Sequence, residues 1–388
     1  MNHALIAAAE RFRDWLVTTR RDLHQNPELS LKEKRTGMTT ADALEKLGLK
    51  VRRNLWGEGF IADLDVPGAK GRIALRADMD ALPIQELNQV DYCSRVPGVA
   101  HMCGHDTHMT MGLGAARLLV EHRSQLKKNV RFIYQPSEET PPGGAKGLIA
   151  AGCLEGVDEV YGVHNQPLLE VGKVATCTGP MTAAADTIRM RLTGRGGHAS
   201  RPHEALDPIP AACALVSQLQ SLVSRRVSPS AQAVVSITRF SAGTTHNIIP
   251  DHADLLGTVR TFDAAIRDQL DREIGQMTAG VAAAHGLQHE YEFERGYDSI
   301  VNHASGAQAL CKAAIEVVGE ANVDAKYPAQ TWGEDFAYFL QHRPGAFFVV
   351  GSGNKAKGII EPVHSARFNV DESCLVIGSA ILAKLAMG

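Results

Sequence analysis

Short apolar runs alternate with helical patterns over much of the chain. Three of these runs are bounded by loops rich in Asp, Pro, Ser or Gly, which predicts buried strands at 73–77, 130–134 and 347–351. Apolar residues at helical spacing predict helices at 4–24, 38–48, 109–122, 144–152 and 333–341. This alternation indicates an α/β fold with a largely parallel sheet covered on both faces. Such sheets bind ligands at the carboxyl ends of their strands.

The pattern changes between about 184 and 296. Residues 187–192 and 233–237 alternate apolar and polar side chains, as half-exposed antiparallel strands do, and helical stretches are predicted at 206–224 and 264–285. We therefore expect an inserted α+β domain at 184–296. The first domain is then discontinuous and consists of 1–183 and 297–388.

Composition and charge narrow the kind of partner. The chain has 388 residues, of which 44% are hydrophobic and 21% charged, and its formal net charge is −3. This balance provides no basic surface for nucleic acid or an anionic membrane, so a small molecule is the expected partner. The sequence has no signal-like apolar region and no apolar span of roughly 18 residues. Its seven cysteines form no C-x-x-C pair. These features predict a cytoplasmic protein with reduced thiols.

Side chains that bind transition metals are concentrated in four segments. One is HMCGHDTH at 101–108, and the others contain the pair Glu138 and Glu139, His164, and His364. The glutamate pair and His164 follow predicted strands, where an α/β sheet brings distant segments together. Imidazole and thiolate ligands suit Zn²⁺, and carboxylates extend the range to Mn²⁺ and other divalent ions. Two such ions about 3.5–4 Å apart lower the pKa of a water molecule and polarise an amide carbonyl. We therefore expect a two-metal amidohydrolase.

Three histidines compete as ligands inside the first of these segments. His101, His105 and His108 are spaced so that a continuous helix would place them on one face. Gly104 argues against a helix at that point. The residues alone leave the choice among them open.

An ordered set of motifs resembles the M20 metallopeptidase family, in particular its hippurate hydrolase and N-acyl-amino-acid amidohydrolase branch with the related plant auxin-conjugate hydrolases. The motifs are NPEL at 26–29, LRADMDALP at 75–83, HMCGHD at 101–106, QP with EE at 135–139, GRGGHA at 194–199, NIIP at 247–250 and EDF at 334–336. They follow the family's order over nearly the whole chain. The resemblance implies a zinc-exopeptidase-like catalytic domain interrupted by a ferredoxin-like dimerisation or lid domain.

The resemblance also implies two divalent metal ions per subunit, with Zn, Mn, Ni and Co as candidates. The ligands carried over from the family are Cys103, His105, Glu139, His164 and His364. Cys103 is the expected bridge, because a thiol stands here where many relatives have a bridging carboxylate. His101 and His108 are then left with supporting roles, and we expect His108 to start the following helix or to hydrogen-bond behind the ligands.

Three further roles follow from the resemblance. Glu138 is the expected general base, which takes a proton from the attacking water and delivers it to the leaving amine. Asp80 is expected to orient a histidine ligand. Asp78 stands where relatives have a histidine, so the choice between these two aspartates stays open, as does simple loop capping. His198 is expected to reach the active site of the partner subunit and stabilise the oxyanion.

The expected substrate is an N-acyl-amino acid, either hippurate-like or N-acetylated. Asn247 and Arg260 match lid positions that hold the substrate carboxylate, which an arginine can bind bidentately. For Arg260 an ordinary strand-end surface charge is an equal alternative. A homodimer, or a homotetramer, is the expected assembly. A dipeptidase or carboxypeptidase on the same scaffold is the alternative function, and a non-catalytic metal- or ligand-binding protein is a further one.

Overall fold

The computed structural model describes residues 4–388. The helices are α1 (Ala4–Glu10), α2 (Arg13–Gln25), α3 (Lys34–Lys46), α4 (His105–Glu121), α5 (Ala145–Ala150), α6 (Pro208–Arg226), α7 (Ala264–Ala284), α8 (Ala304–Val318), α9 (Ala337–His342) and α10 (Ser373–Met387). The strands are β1 (Lys50–Trp56), β2 (Gly59–Leu64), β3 (Arg72–Asp78), β4 (Asn129–Gln135), β5 (Glu159–Glu170), β6 (Val174–Ala175), β7 (Gly179–Pro180), β8 (Ala184–Thr193), β9 (Gly197–His198), β10 (Ala233–Ala242), β11 (Ile248–Ile249), β12 (His252–Thr261), β13 (Gln288–Glu294), β14 (Val301–Asn302), β15 (Val323–Asp324) and β16 (Gly345–Gly353).

Tertiary contacts divide these elements between two compact units. The first unit comprises residues 4–181, Ile300–Ala329 and Asp335–Gly388. The second comprises Thr182–Ser299 together with a short return segment, Gln330–Glu334.

The first unit is built on an eight-stranded sheet, counted over residues 4–388, with the order β1-β2-β4-β3-β5-β16-β6-β15. The central neighbours β4, β3, β5 and β16 are parallel. Antiparallel pairs join β1 to β2, β2 to β4 and β16 to β6. All of β16 and nearly all of β3 are buried, as expected for strands covered on both faces. The predicted α/β fold is confirmed, and its parallel part is the centre of the sheet.

The register of the central strands brings their carboxyl ends to one edge. Asp78 at the end of β3 pairs with Gln135 at the end of β4. Arg76 pairs with Gly162 of β5, which puts His164 level with Asp78. His164 therefore lies within β5 and does not follow a strand as predicted, because pairing with β16 extends β5 to Glu170.

The helices follow the predicted periodicity, but several ends differ. The predicted helix at 4–24 is two helices, α1 and α2, because Phe12 leaves the helical conformation with a φ of −125°. Leu5, Phe12 and Leu16 are all buried in one core, so the apolar spacing carries no sign of this break. α4 begins at His105, earlier than predicted, and α9 begins only at Ala337. No helix within residues 4–388 is both long and apolar enough to cross a membrane.

Apart from the short strands β9 and β11, the second unit has the element order β8-α6-β10-β12-α7-β13. Its four-stranded sheet, counted over the same range, is antiparallel with the order β10-β12-β8-β13. This is the βαββαβ arrangement of ferredoxin-like folds. Buried residues alternate with more exposed ones along β8 and β12, and helix and sheet side chains such as Ile188, Leu215, Leu255 and Ile274 share one core. The predicted α+β character is confirmed, whereas a dimerisation or lid role stays a prediction.

Candidate metal centre and active site

A glycine positions the loop that carries two of the predicted ligands. Gly104 has a left-handed φ of 93° directly before α4, and a Cβ there would come within 2.3 Å of Asn165 Nδ2. Both the conformation and the close approach require glycine. The approach lets Asn165 Nδ2 donate a 2.7 Å hydrogen bond to the Cys103 carbonyl. The loop is therefore fastened to β5 at the residue that follows His164.

The first unit brings all five predicted metal ligands together. Cys103 belongs to two groups of potential ligand atoms that lie within 4.8 Å of one another, one with His105 and His164 and the other with Glu139 and His364. Cys103 Sγ is 3.4 Å from His164 Nε2, and His364 Nε2 is 3.3 Å from Glu139 Oε1. Cys103 belongs to both groups, which is where a ligand shared by two ions would lie.

The donor atoms fit a divalent ion better than they fit direct hydrogen bonds. His105 Nε2 is buried without a hydrogen-bond partner, and it lies 3.8 Å from Glu138 Oε2 and 3.8 Å from Glu139 Oε1. These separations are too long for hydrogen bonds. They suit an ion between the atoms, because zinc binds nitrogen and oxygen ligands at about 2.0–2.2 Å.

The charges around these ligands also favour the binding of a cation. Burial, followed by the charges of Glu139 and Glu138, raises the pKa of the Cys103 thiol well above its ordinary range. Burial alone would lower the pKa of His105, but the charges of Asp78 and neighbouring carboxylates outweigh it and raise this pKa to about 10. A divalent cation would supply the positive charge that these carboxylates lack and would favour the thiolate.

The structure distinguishes the two aspartates that the sequence left open. Asp80 Oδ1 lies 3.2 Å from His105 Nδ1. Burial would raise the pKa of the Asp80 carboxyl, but His105 and other hydrogen-bond donors outweigh it and lower this pKa. Asp78 instead accepts hydrogen bonds of 2.6 Å from Arg76 and 2.6 Å from His108. This geometry favours Asp80 as the carboxylate that orients His105.

The other two histidines of the opening segment have different surroundings. His108 Nδ1 donates to Asp78 Oδ1, and His108 Nε2 accepts a 2.9 Å hydrogen bond from the Asn165 N–H, so both of its nitrogens are used. His108 lies in the first turn of α4, which His105 begins. His101 is buried, and burial lowers its pKa to about 4, so this ring is neutral near pH 7. Neither belongs to a candidate group that includes Cys103.

The remaining three predicted site residues belong to the second unit. His198 is exposed on β9, and its Nδ1 accepts a 3.1 Å hydrogen bond from the Ser200 N–H. Asn247 is exposed, and its Oδ1 accepts a 3.1 Å hydrogen bond from the Thr245 hydroxyl. Arg260 donates to the carbonyls of Thr331 and Val259, and burial lowers its pKa. Among residues 4–388, no carboxylate forms an ion pair with Arg260.

A buried ionic network directly behind the centre was missed by the sequence analysis. Asp106 forms an ion pair with Arg20 at 2.7 Å and accepts a 2.8 Å hydrogen bond from His24. His24 also lies 3.3 Å from Glu86. Arg20 and Asp106 are completely buried. Asp106 is the last residue of the HMCGHD motif, but its partners Arg20 and His24 lie in α2, far away in sequence, and no local pattern predicts the contact.

The chain was compared with known proteins. The profile of peptidase family M20/M25/M40 matches residues 74–388. The chain is 39% identical over 393 residues to N-acetylcysteine deacetylase of Bacillus subtilis, covering 98% of each chain. It is 37% identical over 377 residues to thermostable carboxypeptidase 2 of Saccharolobus solfataricus, covering 96% of this chain and 95% of the other. The crystal structure of Bacillus subtilis YXEP, described as a dinuclear metal binding peptidase, superposes with a TM-score of 0.86 at 35% identity, covering 97% and 98%.

The fold and the clustered ligands define a metal-dependent hydrolase of amide bonds, with an α/β catalytic fold and a ferredoxin-like insertion. More specifically, the chain belongs to peptidase family M20/M25/M40, since the family profile covers most of its length. The resemblance predicted from the motifs is confirmed.

Proposed function

We propose that this protein hydrolyses the amide bond of N-acyl-amino acids, using two divalent metal ions drawn from Zn, Mn, Ni and Co. The observation that carries the proposal is the shared position of Cys103 between two candidate ligand groups, with Glu138 next to Glu139 beside them. When bound, two ions would lower the pKa of a water molecule and polarise the amide carbonyl. Similarity to an N-acetylcysteine deacetylase supports the N-acyl-amino acid class.

Glu138 is the proposed general base. Its side chain is only 7% exposed, its Oε2 lies 3.8 Å from His105 Nε2, and its backbone N–H donates a 3.0 Å hydrogen bond to Asp80 Oδ1. In the proposed reaction, Glu138 takes a proton from water as the water oxygen bonds to the amide carbon. It returns this proton to the nitrogen as the carbon–nitrogen bond breaks, which releases a carboxylic acid and an amine.

A glutamine substitution tests this role. Glu138→Gln preserves the shape of the side chain but removes the base, so we expect kcat for N-acyl-amino acids to fall on the order of 10²–10⁴-fold while the metal content stays at two ions per chain. Glu155→Gln, at an exposed glutamate of the same unit, serves as the matched control and is expected to leave kcat unchanged. Full turnover by metal-loaded Glu138→Gln would refute the mechanism.

A carboxypeptidase is the second candidate, favoured by the similarity to thermostable carboxypeptidase 2. A panel of benzoyl-glycine, N-acetyl-amino acids, blocked peptides and unblocked dipeptides separates the candidates, if metal content is measured on the same sample. A kcat/KM that is highest for blocked single amino acids supports the first proposal. A preference for longer peptides or unblocked dipeptides supports the second.

His198, Asn247 and Arg260 are proposed to contact the substrate. Because His198 Nδ1 accepts a hydrogen bond from a backbone N–H, the ring proton lies on Nε2, which can then donate to an oxyanion. The half-buried guanidinium of Arg260 donates its hydrogen bonds to neutral oxygens, which leaves its charge able to bind a substrate carboxylate. Arg260→Ala is expected to raise KM more than it lowers kcat, and His198→Ala to lower kcat. The opposite pattern would reject these roles.

A homodimer, with a homotetramer as the alternative, is also proposed. β10 is an edge strand of the second unit's sheet and exposes Val234 and Phe240, which supports pairing with a second copy. If His198 acts across that interface, mixing His198→Ala and Glu138→Gln subunits restores roughly one quarter of the sites. Mixed subunits that exchange but stay inactive would contradict it.

The unpaired cysteines support a reducing, cytoplasmic location, which cell fractionation tests.

A further inference from the structure

Glu33 is a buried carboxylate that the proposed mechanism does not use. Its side chain lies before α3 and has no exposed surface. Its Oε1 accepts a 2.7 Å hydrogen bond from the Ser137 N–H, whereas Oε2 is buried without a hydrogen-bond partner. Among the residues that the structure describes, no Lys, Arg or His forms an ion pair with it. A carboxylate buried in this way opposes folding unless other contacts compensate.

The contact of Glu33 is with the turn that carries the two functional glutamates. Ser137 has a left-handed φ of 56°, which is uncommon for a residue with a side chain. The next two backbone N–H groups, of Glu138 and Glu139, are bound by the two oxygens of Asp80 at 3.0 and 2.9 Å. Three consecutive N–H groups are thus held by two buried carboxylates. The turn has little freedom to move the side chains of Glu138 and Glu139.

Helix capping does not explain the side chain of Glu33. It occupies the residue before α3 but makes no side-chain hydrogen bond to the helix. The first N–H groups of α3 are bound instead by Glu28, whose carboxylate accepts from Arg35 at 3.1 Å and Thr36 at 2.8 Å. Burial raises the pKa of Glu33 to about 7, a further sign that its placement is unfavourable for the isolated group. Such costs are typical of functional sites.

We propose that Glu33 is a positioning residue that fixes the Ser137–Glu139 turn, so that Glu139 faces the metal centre and Glu138 faces the substrate. This inference rests on the proposed function for the role of Glu138, but its effect on metal binding does not depend on the substrate. Glu33 acts through the acceptor oxygen that binds the Ser137 N–H. An uncharged hydrogen-bond acceptor in the same place should therefore be enough to hold the turn.

Four variants test the inference by metal affinity and kinetics. Glu33→Ala and Glu33→Met remove the acceptor, the second at nearly constant volume, and Glu33→Gln keeps an acceptor oxygen without the charge. Glu28→Ala is the matched control, because it removes a carboxylate that caps backbone N–H groups in the same segment without touching the turn. Zn²⁺ affinity is measured by competition with a chromophoric chelator, and kcat and KM are measured on fully loaded protein.

We expect Glu33→Ala and Glu33→Met to weaken Zn²⁺ binding about 10–100-fold and to lower kcat by a similar factor with little change in KM. Glu33→Gln and Glu28→Ala should stay within about threefold of the unsubstituted protein. Glu33→Met decides the matter if the alanine variant does not fold. Unchanged affinity in Glu33→Met, or equal losses in it and in Glu28→Ala or Glu33→Gln, would overturn the inference. If the unsubstituted protein does not hydrolyse N-acyl-amino acids, the proposed function fails, while the Zn²⁺ affinities still decide the role of Glu33.

Discussion

Replacing Asp106 with asparagine should destabilise the first unit strongly, although the side chain keeps its shape. Asp106 is the partner of Arg20, whose guanidinium is completely buried, at an N–O distance of 2.7 Å. After the substitution the closest carboxylate to Arg20 is Glu372 at 3.6 Å. His24 also loses the carboxylate oxygen to which its Nδ1 donates. The variant therefore leaves a buried cation without its main counter-charge.

The expected loss of stability depends on the burial of the ion pair more than on the distance between its charges. Two unit charges 2.7 Å apart attract each other by about 6 kcal/mol at an effective dielectric constant near 20. The amide oxygen and Glu372 recover part of this. Breaking a buried ion pair from one side costs about 3–5 kcal/mol, which is our expectation for Asp106→Asn. Asp42 forms an ion pair of equal length, 2.7 Å, with Arg53, but its side chain is 52% exposed. Asp42→Asn should cost less than about 1 kcal/mol.

Denaturant unfolding of the metal-free protein compares the two variants without the stabilisation that bound ions add. Trp15 and Trp56 lie in the first unit and Trp332 in the second, so the assay uses a Trp332→Phe background, in which fluorescence reports the unfolding of the first unit. Comparable slopes of the unfolding transitions are needed for the midpoints to be compared as free energies. If Asp106→Asn shifts the midpoint no more than Asp42→Asn, burial does not decide the strength of the pair and the reasoning is wrong.

Two further predictions concern pH and the Gly104 contact. Burial raises the pKa of Glu33 from 4.5 to about 7, so between these two pH values its carboxyl is protonated in the folded state and ionised in the unfolded state. The free energy of unfolding therefore falls as the pH rises from 4.5 to about 7. Glu33→Gln has no group that titrates here, so its stability should improve relative to the unsubstituted protein between pH 5 and 8, by up to about 3 kcal/mol in unfolding titrations. If stability depends on pH in the same way for both proteins, the burial of an unpaired carboxyl at Glu33 is contradicted. Gly104→Ala and Gly48→Ala both place alanine at a left-handed φ, but only the first puts a Cβ within 2.3 Å of Asn165, whereas Gly48 has open space. Gly104→Ala should therefore weaken Zn²⁺ binding by about tenfold or more and Gly48→Ala should not, and equal affinities would show that the contact with Asn165 does not position Cys103.

Much of the fold could be predicted from the sequence, because burial imposes local periodicity. The apolar runs at 73–77, 130–134 and 347–351 lie within β3, β4 and β16, and the change of pattern near 184 coincides with the first strand of the ferredoxin-like sheet. The predicted ends of the helices were less accurate. Phe12 interrupts a helix while its side chain stays in the core, so the apolar spacing on either side is unaltered.

The candidate ligands were also readable along the chain, since their side chains carry their chemistry wherever they lie. Only the tertiary structure decided which groups the residues next to these candidate ligands contact. Asp78 and Asp80 are almost indistinguishable in sequence, yet one pairs with Arg76 and His108 while the other faces His105. These contacts depend on strand register and on chain segments far apart in sequence.

The sequence by itself determined the candidate donor set, the order of the motifs and the alternation that produces a central parallel sheet. Only the tertiary structure decided that Asp80 faces His105 while Asp78 binds Arg76, that both nitrogens of His108 are used, and that Glu33 is buried against the turn of Glu138. The physical reason is that hydrophobic burial leaves a periodic trace in the chain. A hydrogen bond between distant residues depends on the positions of both partners in space, and it leaves no such trace.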